Sequence, residues 1–127
     1  MNFPKRILLI EDEPHLTALV RPALQASGRY LLRDENHHRG ALHAARHFQP
    51  DLVLLDSVRP NLTHGGIAFS IHQDPALHEV PVVLLTGLAP DRRICSVGFF
   101  GGYTFFANPF SVDEVIDCIE GMLAAEP

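Results

Sequence analysis

Five short apolar runs, separated by segments with helical spacing, constrain the fold of this chain more than any other feature. Three of the runs are apolar almost throughout, which is typical of parallel strands covered by helices on both faces. The runs extend from Arg6 to Ile10, Tyr30 to Leu32, Leu52 to Leu55, Val82 to Leu85 and Tyr103 to Phe106. We therefore predict a sheet of five parallel strands.

The intervening segments predict the helices of an α/β fold. The first helix follows from an apolar stripe that includes Leu16 and Leu19 and stops at Gly28. A capping box at the start of the last helix begins at Ser111. A weaker helix is predicted from Asp91 to Gly101, because its glycines lower the helix propensity. Strand and helix alternate five times, which predicts a doubly wound five-stranded parallel sheet in a three-layer (βα)5 sandwich.

Composition limits the classes of function. The 127 residues are expected to form one domain, 1–127. The formal net charge is −5 and the sequence has no basic stripe of clustered Lys or Arg, so no nucleic-acid binding is expected. The apolar runs are shorter than a membrane span, and the first residues lead into a predicted strand rather than an apolar leader, so we expect neither a membrane span nor a secretion signal. Cys95 and Cys118 lack a CxxC partner, which predicts reduced cysteines in the cytoplasm.

Polar residues follow the predicted strands at the edge of the sheet where ligands bind in such folds. Glu11 and Asp12 follow the first strand, Asp56 the third, Thr86 the fourth and Asn108 the fifth. Taken singly, the acidic residues are more often helix caps or turn residues. Together, three carboxylates in one crevice repel each other unless a hard cation lies among them, so we predict bound Mg²⁺.

These blocks, read in order, resemble the signature blocks of response-regulator receiver domains, which are CheY-like and have a flavodoxin-like fold. The matching segments are Ile7 to Pro14, Asp51 to Asp56 with Pro60, Val80 to Thr86, and Pro109-Phe110. They span nearly the whole chain without a net gap. The resemblance implies a two-component phosphorelay protein of the cytoplasm rather than an enzyme.

The resemblance also implies roles for individual residues. Asp56 would accept a phosphoryl group from a sensor histidine kinase or phosphotransfer protein, and the chain would then act on a downstream protein target. Glu11, Asp12, Asp56 and the backbone carbonyl of Val58 would hold Mg²⁺. Thr86 would sense the phosphoryl group. Loss of that group should be slow, because Val58 and Leu88 are apolar and cannot orient an attacking water.

The chain departs from the family at three positions. Asn108 stands where the family has lysine, Phe105 occupies the place of a switch residue that is often Tyr or His, and His64 replaces a glycine. An alternative function is therefore a pseudo-receiver, a protein-interaction module that does not depend on Asp56 phosphorylation. The sequence also allows a homodimer that forms through the face of the fourth helix, fifth strand and fifth helix.

Two enzyme or ligand-binding classes are disfavoured by single features. A haloacid-dehalogenase-type hydrolase needs a second Asp two residues after its nucleophile, where this chain has Val58. A dinucleotide or nucleotide-triphosphate domain needs a GxGxxG or Walker loop, and neither follows the first strand.

Asn108→Lys is expected to accelerate phosphorylation of Asp56. A hydrogen bond to a charged group contributes about 1.5–3 kcal/mol, so the restored ammonium should raise the rate roughly 10- to 100-fold. The measurement is the time course of mass gain with a small phosphodonor and Mg²⁺. An unchanged rate in the variant would show that the missing lysine does not limit the reaction.

Overall fold

The computed structural model describes residues 4–11, 16–36, 38–57, 66–86, 97–100, 103–107 and 111–124. Its strands are β1 (Lys5–Glu11), β2 (Tyr30–Glu35), β3 (Leu52–Ser57), β4 (Val82–Thr86), β5 (Val97–Phe100) and β6 (Tyr103–Ala107). Its helices are α1 (Thr17–Ser27), α2 (His38–Phe48), α3 (Ile67–Gln73) and α4 (Val112–Ala124).

The strands form one sheet in the order β2-β1-β3-β4-β6-β5. All neighbours from β2 to β6 pair in parallel, and β5 pairs antiparallel with β6. The change of direction in strand order at β1 and β3 is that of a doubly wound sheet. The predicted parallel α/β architecture is confirmed, with five parallel strands in the described part of the chain. The described sheet also contains a sixth, antiparallel edge strand, β5, which the prediction of a five-stranded sheet did not include.

Helices cover the sheet on both sides and bury two apolar layers. One core layer joins α2 and α3 to side chains such as Leu8, Val53 and Leu84. The other joins α1 and α4 to the alternate strand residues, including Leu9 and Leu54. Because β1, β3 and β4 are covered on both faces, their apolar residues run consecutively instead of alternating. Among the described helices, none has both the length and the apolar composition needed to cross a bilayer.

The helix predicted from Asp91 to Gly101 is wrong wherever the structure describes that range. Val97–Phe100 forms β5 at the edge of the sheet, while residues 91–96 and 101 lie outside the described residues. Valine and phenylalanine favour strands, and a Gly-Gly pair between two such runs signals a hairpin. Those two signals outweigh the helical spacing on which the prediction relied. The predicted signalling face was to include this fourth helix. In the described residues, that part of the chain is the strand β5 instead.

The predicted apolar stripe of the first helix is narrower than expected. Leu16, Val20 and Leu24 are buried against the sheet and α4, but Leu19 is 51% exposed. A spacing of four residues keeps one row of side chains on one face of a helix, and Leu19 lies off that row. The sequence periodicity alone did not separate this row from its neighbour.

The predicted helix ends are present. The backbone N–H of Glu114 donates to Ser111 Oγ at 3.3 Å, as a capping residue requires. Gly28 follows α1 with φ of 67°, a left-handed conformation, and its N–H donates to the Gln25 carbonyl. The predicted stop at Gly28 is confirmed, and its reason is the positive φ.

Gly28→Ala and Gly121→Ala are expected to change stability in opposite directions, although nothing lies within 4 Å of a Cβ at either position. A side chain at the left-handed Gly28 should cost about 1–2 kcal/mol. Gly121 lies inside α4, where alanine should add about 0.5–1 kcal/mol. Urea unfolding of both variants measures the difference. Equal effects would show that the backbone at Gly28 is not strained by a side chain.

Candidate functional site

Asp56 is a buried carboxylate at the carboxyl end of the central strand β3. It is 1% exposed and lies on the face covered by α1 and α4. Its Oδ2 accepts hydrogen bonds from the backbone N–H groups of Leu16, at 3.0 Å, and Thr17, at 3.1 Å. These N–H groups stand at the start of α1, where the helix dipole is positive. The helix terminus therefore stabilises the ionised form of Asp56.

Glu11 is the second buried carboxylate of the site. It ends β1 and is the register partner of Asp56 across the β1–β3 pair, so both side chains lie on the same face of the sheet. The Thr17 hydroxyl donates to Glu11 Oε2 through a short contact. Burial raises the pKa of Glu11 above its usual value of 4.5, and the Thr17 hydrogen bond opposes that rise. Thr17 thus contacts both carboxylates, through its backbone and through its side chain.

Arg21 brings a positive charge to this pair, one helical turn after Thr17. Its Nη2 lies 3.2 Å from Glu11 Oε1. The same guanidinium pairs with Asp34 on β2, with Nη1 at 3.1 Å from Oδ2 and Nη2 in short contact with Oδ1. The contacts with Asp34 and Glu11 raise the pKa of Arg21, the Asp34 hydrogen bond contributing most. The result is a chain of charges that runs from the surface to the buried site.

The remaining predicted site residues are only partly described. Thr86 is fully buried at the end of β4, where it is the register partner of Ser57 and of Ala107. It lies two residues after Leu84, so its side chain is on the same face of the sheet, the one covered by α2 and α3 and opposite that of Asp56. The backbone of Phe105 lies in β6 beside Leu84. Asp12, Val58, His64 and Asn108, all named in the sequence analysis, lie outside the described residues.

Oxygen donors of the kind that Mg²⁺ prefers are present in the described part of the site. Glu11 and Asp56 supply two buried carboxylates from adjacent strands, which suits a hard cation. No cluster of three metal-binding side chains occurs within the described residues. The other two predicted ligands, the Asp12 side chain and the Val58 carbonyl, lie outside those residues. Both Glu11 oxygens already accept a hydrogen bond, from Thr17 and Arg21. Each of these oxygens keeps a second lone pair, so the donor set fits the ion.

Three residues of this arrangement were missed by the sequence analysis: Thr17, Arg21 and Asp34. The first helix was analysed only for its apolar stripe, on which none of its polar residues falls. The available signal was the spacing of Thr17 and Arg21, which places a hydroxyl and a guanidinium on one side of a helix that starts beside the acidic group. Asp34 carried no signal, because its position depends on which strand pairs with β1.

Comparison with known proteins identifies the class of chain to which these features belong. The polar-differentiation response regulator DivK of Brucella anthropi is 28% identical over 94% of this chain and 97% of its own length. TcrX of Mycobacterium tuberculosis, described as a probable transcriptional regulatory protein, is 31% identical over 94% of this chain and 50% of its own length. The chain is a homologue of response regulators. No family model matches it.

Solved structures agree on the receiver fold. The receiver domain of a sensor histidine kinase from Pseudomonas aeruginosa superposes with a TM-score of 0.73 and 24% identity, covering 97% of this chain and all of that one. That structure is described with a magnesium ion coordinated in the active site cleft. The expected CheY-like architecture is therefore confirmed. The chain spans about half the length of TcrX and nearly all of DivK.

Thr17→Val is expected to lower the free energy of unfolding by about 1–3 kcal/mol, because it leaves a buried Glu11 oxygen without its hydroxyl donor. Valine keeps the volume of the side chain. Thr17→Ser is the matched control, since it keeps the hydroxyl and loses one methyl group. Chemical unfolding at neutral pH measures all three proteins. If Thr17→Val is no less stable than Thr17→Ser, the hydroxyl does not stabilise Glu11.

Proposed function

We propose that this chain is the phosphoryl-accepting receiver of a two-component pathway, with Asp56 as the acceptor. The observation that carries the proposal is the placement of Asp56, which is buried at the end of β3 beside Glu11 and held by the amides of Leu16 and Thr17. A carboxylate that is oriented in this way by backbone amides at a helix start can act as a nucleophile. The response-regulator homology supports the same function.

In the proposed reaction, an oxygen of Asp56 attacks the phosphorus of a phosphohistidine on a sensor histidine kinase or phosphotransfer protein. The phosphorus–nitrogen bond breaks, and the histidine of the donor leaves as neutral imidazole after taking up a proton. The acyl phosphate then remains on Asp56. Thr86, at the end of the neighbouring strand β4, is proposed to donate its hydroxyl to a phosphoryl oxygen.

Mg²⁺ is the proposed cofactor, with Glu11, Asp12, Asp56 and the Val58 carbonyl as its ligands. Bound there, the ion would neutralise the carboxylates and the negative charge of the transferred group. Glu11 and Asp56 are register partners on the adjacent strands β1 and β3, so they would supply oxygen ligands from two strands. Asn108 contributes no charge of its own, so this function relies on the cation and on α1 for positive potential.

The signalling part of the proposal concerns partners. The phosphorylated chain, one domain over residues 1–127, is proposed to act on a downstream protein in the cytoplasm, with Phe105 in β6 as the switch position. Its aromatic ring can report packing but has no hydroxyl to form a hydrogen bond. Self-association through the face of β6, α4 and the segment that precedes β6 is included in the proposal.

The test is intact-protein mass measurement after incubation with acetyl phosphate or phosphoramidate and Mg²⁺. The parent should gain the mass of one phosphoryl group, and Asp56→Asn should gain none. Removal of Mg²⁺ with a chelator should abolish the gain in the parent. Modification that persists in Asp56→Asn would place the acceptor elsewhere, and no modification of the parent would favour a phosphorylation-independent interaction module.

A further inference from the structure

Glu11, beside which a cation would bind, already accepts hydrogen bonds from other side chains. The Glu11 side chain is only 4% exposed, and its two oxygens accept hydrogen bonds from two side chains of α1. The hydroxyl of Thr17 occupies Oε2 and the guanidinium of Arg21 occupies Oε1. A hard divalent cation needs a carboxylate lone pair, and it is repelled by a neighbouring positive charge. Each oxygen keeps a second lone pair, so the hydrogen bonds alone do not exclude the ion, but a guanidinium 3.2 Å from Oε1 opposes it by its charge. Release of Glu11 by one of these donors therefore favours binding of the ion.

Arg21 is the donor that can move at the smaller cost. It contacts Glu11 through a single nitrogen, Nη2, but contacts Asp34 through both Nη1 and Nη2. A two-point contact between guanidinium and carboxylate is the stronger geometry. Asp34 also lies further out, with a side chain that is 44% exposed. Arg21 can thus release Glu11 while Asp34 continues to hold it.

Thr17 does not have this freedom. It is fully buried, and its backbone N–H is bound to Asp56, so a shift of Thr17 would disturb the start of α1. The Arg21 side chain, in contrast, is 25% exposed and is joined to its backbone by a flexible stem. Arg21, rather than Thr17, is therefore the donor that can release Glu11 when a cation binds.

We propose that Arg21 is the resident counter-cation of this site, holding Glu11 in the metal-free protein and giving up Glu11 Oε1 to a divalent cation when one binds. Arg21 is then a positioning residue that lowers the affinity of the site for the ion, with Asp34 as the carboxylate that retains it. The inference rests on the proposed function, because it takes the acidic site as the place where the cation binds.

The first test is calorimetric titration with Mg²⁺ of the parent, Arg21→Gln, Glu11→Gln and the double variant. Arg21→Gln should bind the ion about five-fold more tightly, since it removes both a competitor and a like charge. In the Glu11→Gln background the same substitution should change the affinity less than about two-fold, because the competition for the carboxylate is gone and only the direct charge repulsion remains. Arg29→Gln is the matched control, since Arg29 pairs with Glu120 away from this site, and it should leave the affinity unchanged.

The second test uses Asp34→Asn, which removes the carboxylate that shares Arg21 with Glu11. Arg21 should then bind Glu11 alone, and the affinity for Mg²⁺ should fall. The fall should disappear in the Arg21→Gln background, because Asp34 acts through Arg21. An equal fall in both backgrounds would mean that Asp34 attracts the ion directly by its charge, which overturns the assigned role of Asp34.

The outcomes separate this inference from the proposed function. If the parent binds Mg²⁺ and becomes phosphorylated but Arg21→Gln binds the ion no more tightly, the role of Arg21 is wrong and the receiver function stands. If Arg21→Gln raises the affinity for Mg²⁺ equally with and without the Glu11 carboxylate, Arg21 does not compete with the ion for Glu11, and the inference is also wrong. If the parent and every variant fail to bind Mg²⁺, both the cation site and the role of Arg21 are rejected.

Discussion

Two carboxylates buried side by side, Glu11 and Asp56, are the constraint on which the described site depends. They end strands β1 and β3, whose other core-facing residues are apolar, and they are register partners. Buried anions at neighbouring positions are costly unless donors and positive charge surround them. Helix α1 supplies both, through the amides of Leu16 and Thr17 and through the guanidinium of Arg21. The acidic site and the start of α1 therefore stabilise each other.

This dependence joins the packing of α1 to the chemistry of the site. The side chain of Leu16 lies in the core layer beneath α1, while its backbone N–H binds Asp56. Val20 and Leu24 continue the same buried row, so α1 is fixed along the sheet by burial and at its beginning by hydrogen bonds. A change in the charge of Asp56 acts directly on this helix.

Much of the fold was predictable because it follows from local patterns. Consecutive apolar residues in β1, β3 and β4 and the glycine stop of α1 depend on neighbours within a few positions. The range from Asp91 to Gly101 was predicted wrongly, since its described part pairs with β6 and becomes a strand. The exposure of Leu19 was missed because the width of an apolar stripe depends on what packs against the helix.

The sequence by itself determined the class of fold and the set of acidic residues that end the strands, because period and order along the chain are local properties. It also gave the prediction that Asn108 and Phe105 depart from the receiver pattern, because that prediction rests on residue type alone. Only the tertiary structure decided how the charges are neutralised. Thr17 and Arg21 of α1 contact Glu11, and Asp34 of β2 contacts Arg21. These contacts exist because β2 pairs with β1 and α1 packs on that face of the sheet. Such contacts depend on strand order and side-chain direction, which local spacing along the chain does not encode.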